Sequence, residues 1–258
     1  MIKVHYKTIV ISDVHLGTSD SKVKELVRYL KKRSCEKLIL NGDIIDGWQL
    51  RKSGKWKKKD TRFFRVVLKM IEKQDTEVIY TRGNHDDFLE NVVPFNIGKL
   101  SLVKDYVLVS GEKRFWVVHG DIFDSITTNF RWIAMLGDIG YTFLLWLNKI
   151  YNYWRMKRGK PYFSLSKEIK ARVKSAVSYI SDFEQQLVKL ARSRQYDGII
   201  CGHIHQPAIE NYDGILYLNS GDWVESLSAL VEDDEGNWKI EMYDDLIEEA
   251  DIIKKPDL

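Results

Sequence analysis

Residues 8–17 read Thr-Ile-Val-Ile-Ser-Asp-Val-His-Leu-Gly (TIVISDVHLG). A short, unbroken apolar run rich in β-branched residues predicts a strand buried on both faces. The run stops at Asp13, and His15 follows two residues on. Side chains two apart on an extended backbone share a face, so Asp13 and His15 can grip one ion together. The phrase recurs twice. Residues 37–41 (KLILN) end at Gly42-Asp43, and Glu77–Thr81 (EVIYT) ends at Gly83-Asn84-His85-Asp86. Between these runs lie helical patterns: 21–32, with Val23, Leu26, Val27 and Leu30 on one face, and 61–73. The β-α-β-α-β order predicts a parallel sheet. Open parallel sheets carry their sites at the carboxyl ends of strands, where these motifs fall.

Farther along the rhythm changes. Residues 102–109 and 114–118 read as paired strands joined by a Gly111-Glu112 turn, the second ending at His119-Gly120-Asp121. Residues 197–201 form another strand, ending at Gly202-His203-Ile204-His205. Short strands over 208–211, 215–218, 226–231 and 238–243 complete the chain, with turns at Asp213-Gly214 and Glu235-Gly236. The expected fold is α/β, with two packed mixed sheets flanked by helices. Residues 1–124 and 182–258 make the expected core. Residues 125–181 read as a helical insertion rich in aromatics, Trp132, Trp146 and Trp154 among them, with a basic run over 155–160. That insertion reads either as a subdomain packing its own core or as an apolar lid that meets lipid. Ser181-x-x-Glu184 matches a capping box and predicts a helix break there. Residues 248–258 read as an acidic surface tail.

Composition bounds the alternatives. The 258 residues carry 44% hydrophobic and 30% charged side chains, ordinary for a globular protein. A net charge of +3 is too small to argue for nucleic acid, and none is expected as a partner. Cys35 and Cys201 have no metal-type spacing, which points to a reducing compartment. The N-terminus lacks a signal-peptide pattern, so a cytoplasmic location is expected. No apolar run of about 18 residues predicts a membrane span.

Five of the six histidines sit in the strand-end motifs. Asp43 has two oxygens and can bridge two cations; Asn84 offers a carbonyl oxygen, and His119, His203 and His205 offer ring nitrogens. This mixed N/O set without thiolate suits Mn, Fe, Zn or Co. Two ions roughly 3.5–4 Å apart can bind a phosphate and share an activated water. His85 can protonate the leaving oxygen or steady charge on phosphorus, with Asp86 orienting it. Asp46 and Asp121 are candidates for supporting the ligands or for local turn and cap roles. His5, outside the motifs, reads as a surface residue, and Cys201 and Trp48 as packing residues. The basic run over 51–59 reads as a loop, either solvated or a contact for phosphate, anionic lipid or nucleic acid.

These motifs resemble the calcineurin-like metallophosphoesterases, whose pattern runs D-x-H, G-D-x-x-D, G-N-H-D/E, H and G-H-x-H. All five stand in order over residues 13–205. The resemblance implies an α/β/β/α sandwich and two divalent ions, with manganese the first expectation. It implies Asp13, His15, Asp43 and His205 as ligands of one ion, and Asp43, Asn84, His119 and His203 as ligands of the other. His119-Gly120-Asp121 and the HIHQPA stretch at 203–208 are similar to the UDP-2,3-diacylglucosamine pyrophosphatases of lipid A synthesis. That similarity implies hydrolysis of the lipid-linked diphosphate to UMP and 2,3-diacylglucosamine 1-phosphate by a metal-bridging hydroxide. It also implies a lid holding acyl chains and contact with the cytoplasmic face of the inner membrane. Asn84, His85, Ser166 and His203 would contact substrate, with Ser166 in a stretch resembling that lid. The chain departs from this subfamily in having His85 where many members have arginine, and over 218–223. The alternatives are a phosphodiesterase or phosphatase for a soluble nucleotide, and a binding scaffold on the same fold.

Overall fold

A computed structural model describes residues 3–123, 151, 154–158 and 180–243. The chain divides into two compact units, Met1–Asp121 with Leu187–Leu258, and Ile122–Gln186.

In the first unit the three apolar runs are the strands β1 (Val4–Ile11), β2 (Arg33–Asn41) and β3 (Glu77–Thr81), paired in parallel. Helix α1 (Val23–Lys31) connects the first two. Helices α2 (Gly47–Ser53) and α3 (Lys58–Gln74) connect the second and third. The sheet is extended by β4 (Phe95–Ile97), β5 (Leu100–Val103), β11 (Ser228–Glu232) and β12 (Trp238–Met242), in the order β12-β11-β1-β2-β3-β5-β4. A second sheet runs β6-β7-β8-β10-β9. Its strands are β6 (Tyr106–Ser110), β7 (Lys113–Val117), β8 (Gly198–Cys201), β9 (Ala208–Tyr212) and β10 (Ile215–Asn219).

Alternation along the strands explains why the central runs are apolar throughout. Ile9, Ile11, Leu38, Leu40, Val78 and Tyr80 pack with the residues of α1 and α3. Their neighbours Val10, Ile39 and Ile79 pack instead with Leu108, Phe115, Val117, Ile200 and Leu218 of the second sheet. Each strand is therefore buried on both faces, and each such aliphatic side chain stabilises the fold by about 1.5–3 kcal/mol.

Two expectations need correction. The strand expected over 102–109 is two strands in different sheets, β5 and β6, because the chain turns at Lys104-Asp105 and crosses between layers. The basic loop expected over 51–59 is shorter, for 51–53 belong to α2 and 58–59 to α3, leaving 54–57 between them: Asp46 caps α2 by accepting from Gln49 N at 2.7 Å, and Gly54 ends it in the left-handed conformation. The helix break expected near Ser181 falls at the edge of the described residues: 180–193 are helical and the Ser181 hydroxyl takes a hydrogen bond from the Gln185 side chain, whereas 159–179 lie outside them. Most of the expected insertion, Ser166 included, lies outside the described residues. Of the second unit, residues 154–157 are helical, and Tyr151, Trp154 and Met156 are exposed. No helix among the described residues is long and apolar enough to cross a membrane.

Candidate metal centre

The carboxyl ends of five strands converge at one end of the first unit. β1 delivers Asp13 and His15, β2 delivers Asp43 and Asp46, and β3 delivers Asn84 to Asp86. The second sheet contributes His119 after β7, and His203 and His205 after β8. Metal-compatible ligand atoms fall into three overlapping groups, each within 4.8 Å: Asp13, His15 and His205; His15, Asp43 and His85; and Asp43, His119 and His203. The motifs set His85 apart from the ligands, yet its ring lies within the second group.

Each carboxylate is aimed by a backbone hydrogen bond. Asp13 Oδ2 accepts from His203 N at 2.9 Å, and Asp43 Oδ1 accepts from His85 N at 2.8 Å. Their other oxygens face the imidazoles. Asp13 Oδ1 lies 3.2 Å from His205 Nε2, and Asp43 Oδ2 lies 3.4 Å from His119 Nε2. His119 holds its second nitrogen 2.9 Å from the Asn41 carbonyl, which suits Nδ1–H donation and leaves Nε2 turned to the carboxylates.

Burial alone would raise the pKa of Asp13 and Asp43. The imidazoles, His119 foremost, instead hold both well below the usual carboxylate range. Burial would likewise discharge His119, but Asp43 and Asp13 drive its pKa well up. Asp13 Oδ1, Asp43 Oδ2, Asn84 Oδ1 and His119 Nε2 are buried without a hydrogen bond among the described residues. Such atoms are costly unless something binds them. These converging O and N donors fit divalent cations.

The carboxylate beside His85 is not the expected one. Asp86 is fully buried and accepts from Ile44 N (3.1 Å), Ile45 N (2.9 Å) and Tyr80 Oη (2.8 Å). It braces the Asp43 loop, and burial, followed by the charge of Asp43, pushes it up to about 7. Asp46 takes the place expected for Asp86: its Oδ2 lies 3.1 Å from His85 Nδ1 and 3.5 Å from His15 Nδ1. Burial opposes the charge on Asp46, but hydrogen bonds with His15 and His85 hold its pKa well below the usual range. Thus Asp46 caps α2 with one oxygen and orients two imidazoles with the other. Asp121 pairs with Arg82 Nη1 at 3.0 Å. His5 is exposed and touches Ser34.

Backbone geometry completes the site. Asp13, His15, Asp43, His203 and His205 all have φ between 50° and 69°, in the left-handed region. That region is sparsely populated by residues other than glycine. The glycines beside the ligands serve close approach. A Cβ on Gly83 would stand 2.3 Å from Asp43 Oδ1, and one on Gly202 would stand 2.5 Å from Asp13 Oδ2.

Two groups of functional importance are not evident from the motifs. Trp48, expected as packing, is 45% exposed and lays its ring against His85 with centroids 4.2 Å apart. Its position at the start of α2, five residues after Asp43, was the available signal. The segment Asn219 to Trp223 supports both strand-end loops. Asn219 Nδ2 donates to the Gly202 carbonyl at 3.0 Å, Ser12 Oγ donates to the Gly221 carbonyl at 2.9 Å, and Trp223 N donates to the Asp13 carbonyl at 3.0 Å. A polar run directly after an apolar strand was its only trace in the sequence.

Residues 6–207 match the model of the calcineurin-like phosphoesterases. No curated protein matches the chain. Among solved structures, a predicted phosphoesterase from Streptococcus pneumoniae is 18% identical, with 93% of this chain and 90% of that chain covered at a TM-score of 0.40. An archaeal phosphodiesterase is 14% identical, with 91% and 98% covered at 0.42. The vacuolar protein sorting 29 of Cryptosporidium parvum is 14% identical, with 91% and 95% covered at 0.41. At such TM-scores these likenesses carry no part of the assignment. The family match spans all five motifs and the strands that present them, and on it the chain belongs to the calcineurin-like phosphoesterase family.

Proposed function

We propose that this protein hydrolyses a lipid-linked nucleotide diphosphate, UDP-2,3-diacylglucosamine, to UMP and 2,3-diacylglucosamine 1-phosphate. Family membership makes it a phosphoester hydrolase using divalent metals. The finer substrate is our reading, and so is manganese as the metal. The observation that carries it is the exposure of Tyr151, Trp154 and Met156 beside Arg155 and Lys157 in the second unit. Apolar surface mixed with cations suits an acylated anionic substrate, whereas a soluble nucleotide needs no such surface.

Asp13, His15, Asp43, Asn84, His119, His203 and His205 would hold the ions. When bound, the ions would neutralise phosphate charge and lower the pKa of water. The chain's own residues do the rest. His85, held at Nδ1 by Asp46, turns Nε2 toward the ligand cluster, 3.9 Å from Asp43 Oδ2, where it can give a proton to the departing phosphate oxygen. His203, its backbone tied to Asp13, steadies negative charge from the opposite sheet. Trp48 covers one face of His85 and limits water there.

The test offers purified, Mn²⁺-supplemented protein UDP-2,3-diacylglucosamine beside UDP-glucose and identifies the products. UMP released from the lipid alone supports the reading. Equal turnover of UDP-glucose refutes the lipid substrate and leaves phosphoester hydrolysis standing.

A further inference from the structure

Helix α1 is amphipathic in an unusual way: each of its exposed residues, Lys24, Arg28 and Lys31, is basic. The neighbouring α3 presents Arg62, Arg65 and Lys69 toward the same grooves. Two adjoining depressions of about 300 and 340 Å³ run between these cations, sharing Lys31 and Arg62. Their floors are aliphatic, formed by such residues as Val27, Leu30 and Val66. Among the described residues Lys24, Lys31, Arg62, Arg65 and Lys69 have no carboxylate partner; the pKa of Arg28 is raised by a hydrogen bond to Tyr243, with Glu25 adding a smaller effect. Six cations thus stand together on a chain whose net charge is only +3. The sequence did not display this face, because the residues come from two helices separated by β2.

We infer that the α1–α3 face docks on an anionic lipid surface. Charge complementarity selects an anionic partner, and the flanks of the face select a bilayer over nucleic acid. Leu68 on α3 is 59% exposed, and Trp56 before α3 is 42% exposed among Lys55, Lys57 and Lys58. Tryptophan and leucine beside polybasic sequence suit the headgroup layer. The grooves themselves contain no aromatic residue on which bases could stack. Helix α3 has 17 residues, so the face extends about 25 Å, enough to meet several headgroups at once. This inference does not rest on the proposed substrate.

The experiment sediments the full-length protein with phosphatidylcholine vesicles and with vesicles containing phosphatidylglycerol. Binding is expected only with phosphatidylglycerol and should weaken with salt. Each cation near the surface contributes about fivefold to partitioning, so K24Q/R28Q/K31Q and R62Q/R65Q/K69Q should each lose about a hundredfold. Both variants should hydrolyse bis(p-nitrophenyl) phosphate at the parent rate. Three results would overturn the inference: no preference for phosphatidylglycerol, loss of binding in R155Q/K157Q/R158Q but not in these variants, or displacement from vesicles by duplex DNA at equal phosphate concentration.

Discussion

Replacing Gly83 with alanine adds one methyl group and alters no ligand, yet it should disable the centre. The new Cβ would stand 2.3 Å from Asp43 Oδ1, 2.6 Å from Asp43 N and 2.9 Å from His119 Cδ2. All three are backbone or tightly held atoms, so no flexible side chain can swing aside. Asp43 Oδ1 would have to retreat by about 0.7 Å even to reach the closest tolerated separation. That movement stretches the 2.8 Å hydrogen bond from His85 N, which positions the carboxylate. Overpacking of this kind costs about 1–3 kcal/mol of stability. A misplacement approaching 1 Å costs roughly 100-fold in rate. Loss of a positioning contact costs about 10- to 100-fold in metal affinity. The assay is hydrolysis of bis(p-nitrophenyl) phosphate across a Mn²⁺ titration, with thermal unfolding in parallel. Gly54→Ala is the control: nothing lies within 4 Å of its added methyl, although its φ of 61° adds a backbone strain that Gly83 lacks. A folded Gly83→Ala protein with kcat and metal affinity within twofold of the parent would refute the close-packing argument.

Asp46→Asn removes the charge that holds His85 and His15; kcat should fall about 100-fold, while Mn²⁺ affinity, measured calorimetrically, should fall less than tenfold. Chelation should abolish hydrolysis, and Mn²⁺ restored at about 100 times its Kd should return activity and add about 2.7 kcal/mol of stability, read from denaturant midpoints. Far from the centre, Glu241 accepts from Arg33 Nε (2.8 Å), Tyr6 Oη (2.6 Å) and Tyr29 Oη (2.9 Å). Burial opposes its charge, but the Arg33 bond leads the effects that lower its pKa. A lowered carboxylate stabilises the fold above its unfolded pKa, and that contribution fades as pH falls through the folded value. Glu241→Ala should cost about 3–5 kcal/mol at neutral pH and flatten the acid limb of the stability curve; an unchanged acid limb would contradict the pairing.

The three central strands, their parallel pairing and the gathering of the candidate ligands at their ends were legible because each rests on short-range pattern. TIVIS, KLILN and EVIYT are apolar on both faces, and a charged or amide residue after each marks the strand end. What the sequence concealed depends on partners far apart in the chain. Asp46 and Asp86 are equally plausible supports for His85, and only the turn of the backbone sends Asp86 inward to Tyr80 and Asp46 across to the imidazole. Lys104-Asp105 reads as a polar pause in a strand, whereas the chain there changes sheets. Asn219 carries no signature of its own; its value lies in reaching the Gly202 carbonyl, 17 residues back.

The five left-handed residues at the centre have an evolutionary consequence. Each non-glycine residue held there costs on the order of 1–3 kcal/mol, and these five belong to the candidate ligand set. Selection for stability alone would therefore replace them, and glycine or asparagine at His15, His203 or His205 would relax the backbone while discarding a ligand. The chain sits on a gradient along which gaining robustness and losing catalysis are the same step. A descendant freed from its substrate should drift toward a sturdier, metal-free sandwich, retaining the fold as a platform for other uses.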